Sequence, residues 1–208
     1  MAFETNVFIN CPFDKRFRPL LNAILFCVIR AGLEPRLALE RADGGENRLE
    51  KIIGIMRESK YSIHDLSRCE AIRKGEIARL NMPFELGIDY GLRVSGGKFL
   101  SKRFLVLDEK PHRLKQAISD IAGWDTVAHD GLAVKATKET RAWLEQEAGI
   151  TLPGASLLSD EQLTFEEWKY GTPEQGRADV DQWSPNERIR AQKRWNLLGR
   201  PQNPDEQN

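Results

Sequence analysis

The chain has 208 residues, the length of one compact domain with an appendage, and its 31 lysines and arginines balance 31 aspartates and glutamates. A formal net charge of zero withholds the basic excess that nucleic-acid and anionic-membrane binding draw on, although a small charged ligand needs only a local site. Hydrophobic residues at 40% are enough for an ordinary core, and the longest apolar run, Ala23 to Ile29, falls far short of the roughly 20 residues of a membrane span.

In chain order, Val7-Phe8-Ile9 reads as a short strand that ends in the turn-like Asn10-Cys11-Pro12-Phe13-Asp14. Phe17, Leu20, Leu21, Ile24, Leu25 and Val28 then recur at helical spacing up to Gly32. Arg36 to Leu39 is a weaker strand candidate, and Asp43 to Asn47 reads as a loop. Leu49, Ile52, Ile53 and Met56 define a second amphipathic helix, and Tyr61 to Leu66 a third strand followed by a polar loop. Asn81 is placed to cap a helix whose first turn tolerates Pro83 and which runs to about Val94, before Gly96-Gly97. Arg103 to Asp108 is the clearest buried strand. Leu114, Ala117, Ile118 and Ile121 mark a fourth helix, Trp124 to Ala128 a fifth strand, and a helix through Trp143 and Leu144 follows. This alternation predicts an α/β fold with a mainly parallel, doubly wound sheet over residues 1–150. Ligands of such sheets bind beyond the carboxyl ends of the strands.

From about Thr151 five prolines and many polar residues suggest a disordered tail, yet Trp168, Trp183 and Trp195 lie there. Residues 151–208 are therefore expected to form an appendage that wraps the domain or meets another subunit, with the last eight or so residues free. Cys11, Cys27 and Cys69 form no disulfide framework or Cys-x-x-Cys pair, and His64, His112 and His129 lack metal-ligand spacing, so no metal site is expected. Met1-Ala2-Phe3-Glu4 has no basic stretch leading into an apolar one, and a cytoplasmic protein is expected.

Three clusters have side chains suited to chemistry. Glu85 and Asp89 share one helix face four residues apart, beside Gly87 and Gly91, which let backbone, sheet or ligand come close. A solvated acidic face over a packing seam accounts for the same pattern equally well. In Ile63-His64-Asp65-Leu66-Ser67-Arg68, strand alternation sends His64 and Asp65 to opposite faces. Asp65, Ser67 and Arg68 fall where ribose and phosphate would be held, or where Asp65 and Ser67 simply cap a turn. After the first strand, Asp14 suits a helix N-cap, and Arg16 with the helix-start amides suits a phosphate. No phosphate-loop, dinucleotide-turn or nucleophile-elbow motif is present.

Taken in order, Val7-Phe8-Ile9-Asn10-Cys11-Pro12-Phe13-Asp14, His64-Asp65-Leu66-Ser67-Arg68 and Asn81-Met82-Pro83-Phe84-Glu85-Leu86-Gly87 resemble small bacterial proteins of the TIR-like and nucleoside 2-deoxyribosyltransferase-like superfamily. The resemblance spans roughly residues 5–130. It implies a flavodoxin-like five-stranded sheet and cleavage or transfer of the N-glycosidic bond of NAD or another nucleotide or nucleoside, used as substrate without a separate cofactor. Glu85 matches the catalytic glutamate, and Asp65 and Ser67 match the ligand-binding strand end. Asn10, Asp14 and Asn81 map onto the ligand side, and Asp89 is the nearest acid for a purine leaving group. The typical deoxyribosyltransferase partner residues and the typical TIR helix sequence are absent. The resemblance further implies a homo-oligomer or a partner protein of antiphage defence, or alternatively a nucleotide-sensing or docking module without catalysis.

Overall fold

The computed structural model describes residues 2–40, 45–69, 80–111, 113, 118–121, 123–171 and 180–202. A single turn, α1 (Ala2–Thr5), leads into β1 (Asn6–Asn10), and α2 (Arg18–Arg30), β2 (Glu34–Leu37), α3 (Arg48–Arg57) and β3 (Tyr61–Asp65) follow. Next come α4 (Asn81–Val94), β4 (Arg103–Asp108), β5 (Thr126–Ala128) and α5 (Ala133–Ala148). Among the described residues, α6 (Ala155–Trp168) and α7 (Pro185–Leu197) follow. The strands form one all-parallel sheet in the order β2-β1-β3-β4-β5, the flavodoxin-like arrangement expected.

Local chemistry sets the boundaries. Gly32, at φ +73°, ends α2 in the left-handed conformation that a side chain disfavours. Asn47 caps α3 by accepting the amides of Leu49 and Glu50. β2 begins two residues before its expected start and takes in Pro35. An edge strand tolerates a residue without an N–H, and β2 pairs only with β1. The fifth strand is shorter than expected, starting at Thr126. Of the expected fourth helix, Leu114 and Ala117 lie outside the described residues, and Ser119–Ile121 is a 3-10 turn. Asp43, Gly44 and the last six residues also lie outside them.

Alternation along the strands divides the core. Val7, Ile9, Ile63, Leu105 and Leu107 pack against α2, α5, α6 and α7. Phe8 faces α3 and α4, with Ile52, Ile55 and Met56, while Leu66, Val106 and Leu86 form a smaller cluster beside them. The polar C-terminal stretch joins the larger core. Phe26 of α2 meets Trp195 at 6.0 Å between ring centroids, and Phe165 meets Trp195 at 5.6 Å and Trp168 at 6.1 Å. A Ser184–Glu187 capping box starts α7, and Trp195 donates its indole N–H to the Pro201 carbonyl at 3.0 Å. Trp168 and Trp195 thus fill the interior beside α2. Among the described residues no helix is long and apolar enough to cross a membrane.

Candidate functional site

Parallel register brings Asn10, Asp65, Asp108 and His129 to one edge of the sheet, where the strands end. His64 and Asp65 do point to opposite faces, and each anchors a separate network.

On the α4 side, His64 is wholly buried. Its Nδ1 accepts a hydrogen bond from Asn10 Nδ2 at 3.1 Å, so Nε2 carries the proton and donates it to Asp89 Oδ2 at 3.2 Å. Asn10 uses its second amide hydrogen on the carbonyl of Met82, in the first turn of α4, at 3.1 Å. Lys102, buried just before β4, places Nζ 3.0 Å from Asp89 Oδ1 and donates to the carbonyls of Met56, at 2.8 Å, and Ser59. Burial alone would raise the Asp89 carboxyl, but the hydrogen bond from His64 and the Lys102 ammonium outweigh it and hold the pKa below the ordinary value. A lowered pKa keeps this carboxylate ionised at neutral pH, and it is sealed from solvent, paired with His64 and Lys102. Its work is to fix α4 against the sheet.

On the α2 side, Asp65 Oδ1 accepts the amide of Ser67 at 3.0 Å and its hydroxyl in a closer contact. Asp65 Oδ2 lies 3.0 Å from His129 Nε2, and His129 Nδ1 accepts the Gly131 amide at 2.9 Å, which fixes Nε2 as the donor. Both oxygens of Asp65 are engaged within the protein. Asp65 and Ser67 form a turn that ties the end of β3 to the chain after β5.

Glu85 is the exception. It is buried to 6% exposure on α4 and makes no hydrogen bond or ion pair with any described residue. Desolvation raises its pKa, and the charge of Arg48, at the start of α3, offsets part of that rise. The buried thiol of Cys11 is pushed well above its usual value, first by burial and then by Asp65, Asp14 and Glu85.

The remaining expected residues divide. Asp14 accepts the Phe17 amide at 3.0 Å and lies 3.5 Å from Arg68 Nε, so the loops after β1 and β3 meet. It caps the turn that leads into α2 rather than α2 itself, whose N-cap is Phe17. Arg16 is exposed and makes no side-chain bond among the described residues. Asn81 is the first residue of α4, not its cap; Leu80 holds that position, and Asn81 faces solvent. Gly87 and Gly91 are also exposed, with nothing within 4 Å of an added Cβ, so neither admits the sheet or another backbone. Sequence reasoning missed Arg48, Lys102 and the roles of His64 and His129. It also missed Asp108, which Arg113 grips while Arg113 reaches the Leu66 carbonyl at 3.3 Å. Burial raises the Asp108 pKa against the pull of Arg113. Among the described residues no group of three or more His, Cys, Asp or Glu is placed to hold a metal ion.

Comparison with family models, curated proteins and solved structures finds no match for this chain.

Proposed function

We propose that the protein cleaves or transfers an N-glycosidic bond of NAD or a related nucleotide, with Glu85 at the reacting sugar. The observation that carries this reading is Glu85 itself: a buried carboxylate with a raised pKa and no hydrogen bond or ion pair to a described residue, on α4 one turn beyond Met82, whose carbonyl is held by Asn10 at the end of β1. A structural carboxylate at that depth is normally paired. The motif resemblance supports the same residue. As the C1′–N bond breaks, its electron pair leaves with the base and positive charge develops at C1′, which the Glu85 carboxylate stabilises or traps. Water or another hydroxyl then takes the ribosyl group and gives up its proton, with Glu85 available to receive it.

The pairing of Asp89 with His64 and Lys102 narrows the substrate class. A purine leaves well only when protonated, whereas the pyridinium of NAD departs as neutral nicotinamide without an acid. The site therefore fits pyridinium nucleotides better than purine nucleosides. A second reading, a nucleotide-sensing module without turnover, draws on the engagement of Asn10 and Asp65 inside the protein. A role in antiphage defence, through a homo-oligomer or a partner protein, belongs to the proposal on the resemblance alone. The test is to incubate the concentrated protein with NAD, nicotinamide mononucleotide and purine nucleosides and separate the products. Nicotinamide release is expected, and binding of NAD without release of any base overturns the enzymatic reading in favour of the sensing one.

A further inference from the structure

We propose that a cavity between α2 and α7 binds a small organic anion that carries one flat ring. The cavity, about 220 Å³, lies between the first turns of α2 and α7. Arg18, Lys169 and Arg188 bring cations to its wall, Lys169 and Arg188 sharing the Glu166 carboxylate, and Phe13 and Trp183 bring aromatic rings.

Arg188, in the wall of the cavity, has a donor to offer. It is buried to 5% exposure, packs its guanidinium 5.2 Å from the centre of the Phe165 ring, and pairs closely with Glu166. Its Nε is nevertheless a buried donor with no partner among the described residues. A buried guanidinium N–H without an acceptor is costly, and an acceptor brought by a ligand removes that cost. The two carboxylates in the wall are already engaged. Asp181 takes the hydroxyl of Tyr170, and Asp14 takes the Phe17 amide and faces Arg68. Arg18 sits at the cavity rim with Nη1 donating to the Asp181 carbonyl at 3.1 Å, so it is already held close to where an anion would lie. The size suits one ring with a carboxylate or phosphate, smaller than the roughly 300–1,000 Å³ of sites that take drug-sized ligands.

Fluorine NMR of the full chain labelled with 5-fluorotryptophan tests this, the Trp183 resonance being assigned by its loss in Trp183→Phe. Benzoate, phenyl phosphate and the neutral isostere benzamide are titrated in turn. A saturable shift of the Trp183 resonance with benzoate or phenyl phosphate, and none with benzamide, is expected; the tighter of the two anions tells carboxylate from phosphate. Arg18→Gln, at an exposed position, is expected to weaken that binding about tenfold. Glu85→Gln is expected to leave it unchanged, which separates this site from the proposed reaction. No shift with either anion, an equal response to benzamide, or full binding by Arg18→Gln overturns the proposal.

Discussion

At the scale of single residues, Glu85 and Asp89 carry the same charge one helical turn apart and are driven in opposite directions. Asp89 has His64 and Lys102 against it, whereas burial raises Glu85 and the charge of Arg48 offsets part of the rise. A carboxyl whose folded pKa is raised destabilises the fold once ionised, so its cost is present above the folded pKa and absent below the unfolded one. Glu85→Gln is therefore expected to raise the melting temperature near neutral pH, with the gain fading as pH falls through the ordinary glutamate range. A variant that melts lower than wild type at neutral pH would show that Glu85 is a structural group. Asp89 has the opposite sign. Its contribution is fully present above the ordinary carboxylate pKa and is lost as pH falls through the lowered folded value. Asp89→Asn strips the buried Lys102 of its counter-charge and is expected to cost about 3–5 kcal/mol in chemical denaturation at neutral pH. A loss under 1 kcal/mol, the range of exposed pairs, would contradict the assigned burial.

At the scale of elements, α4 is held at two heights, by Asn10 on the Met82 carbonyl and by Asp89 on His64 and Lys102. Glu85 lies between these clamps. His64→Phe keeps a ring of similar shape but severs both hydrogen bonds of the chain. It is expected to speed hydrogen exchange of the α4 amides more than those of α2, and equal protection of both helices would contradict the clamp. Much of this layer was legible beforehand. Pro83 and Gly96-Gly97 bracket α4, and its expected span agrees with Asn81–Val94. Strand alternation correctly opposed His64 to Asp65. The partners were not legible, because they depend on long-range register. His129 reaches Asp65 only through the placement of β4 and β5, and no local pattern marks Lys102 as a buried lysine. The internal partners of Asn10 and Asp65 were equally hidden, because polar residues at a strand end serve ligands and internal turns with the same chemistry.

For the whole molecule, the C-terminal stretch shows how composition misleads. Its many polar residues and prolines hide a sparse apolar stripe, Leu158, Phe165, Trp168, Ile189 and Trp195, that completes the core on α2. Trp195→Ala is expected to cost about 3–5 kcal/mol, and truncation after Ile150 should lower the melting temperature and expose α2. A truncated protein with unchanged melting would show that the stretch adds nothing to the core. A rigid sheet and two internal polar clamps leave Glu85 without a partner among the described residues, where the proposed reaction places the sugar of a nucleotide. Nicotinamide release from NAD, followed side by side for the wild-type chain and a folded Glu85→Gln variant of equal or higher melting temperature, tests it most directly. The account predicts release by the wild type and none by the variant; release by both at the same rate would contradict it.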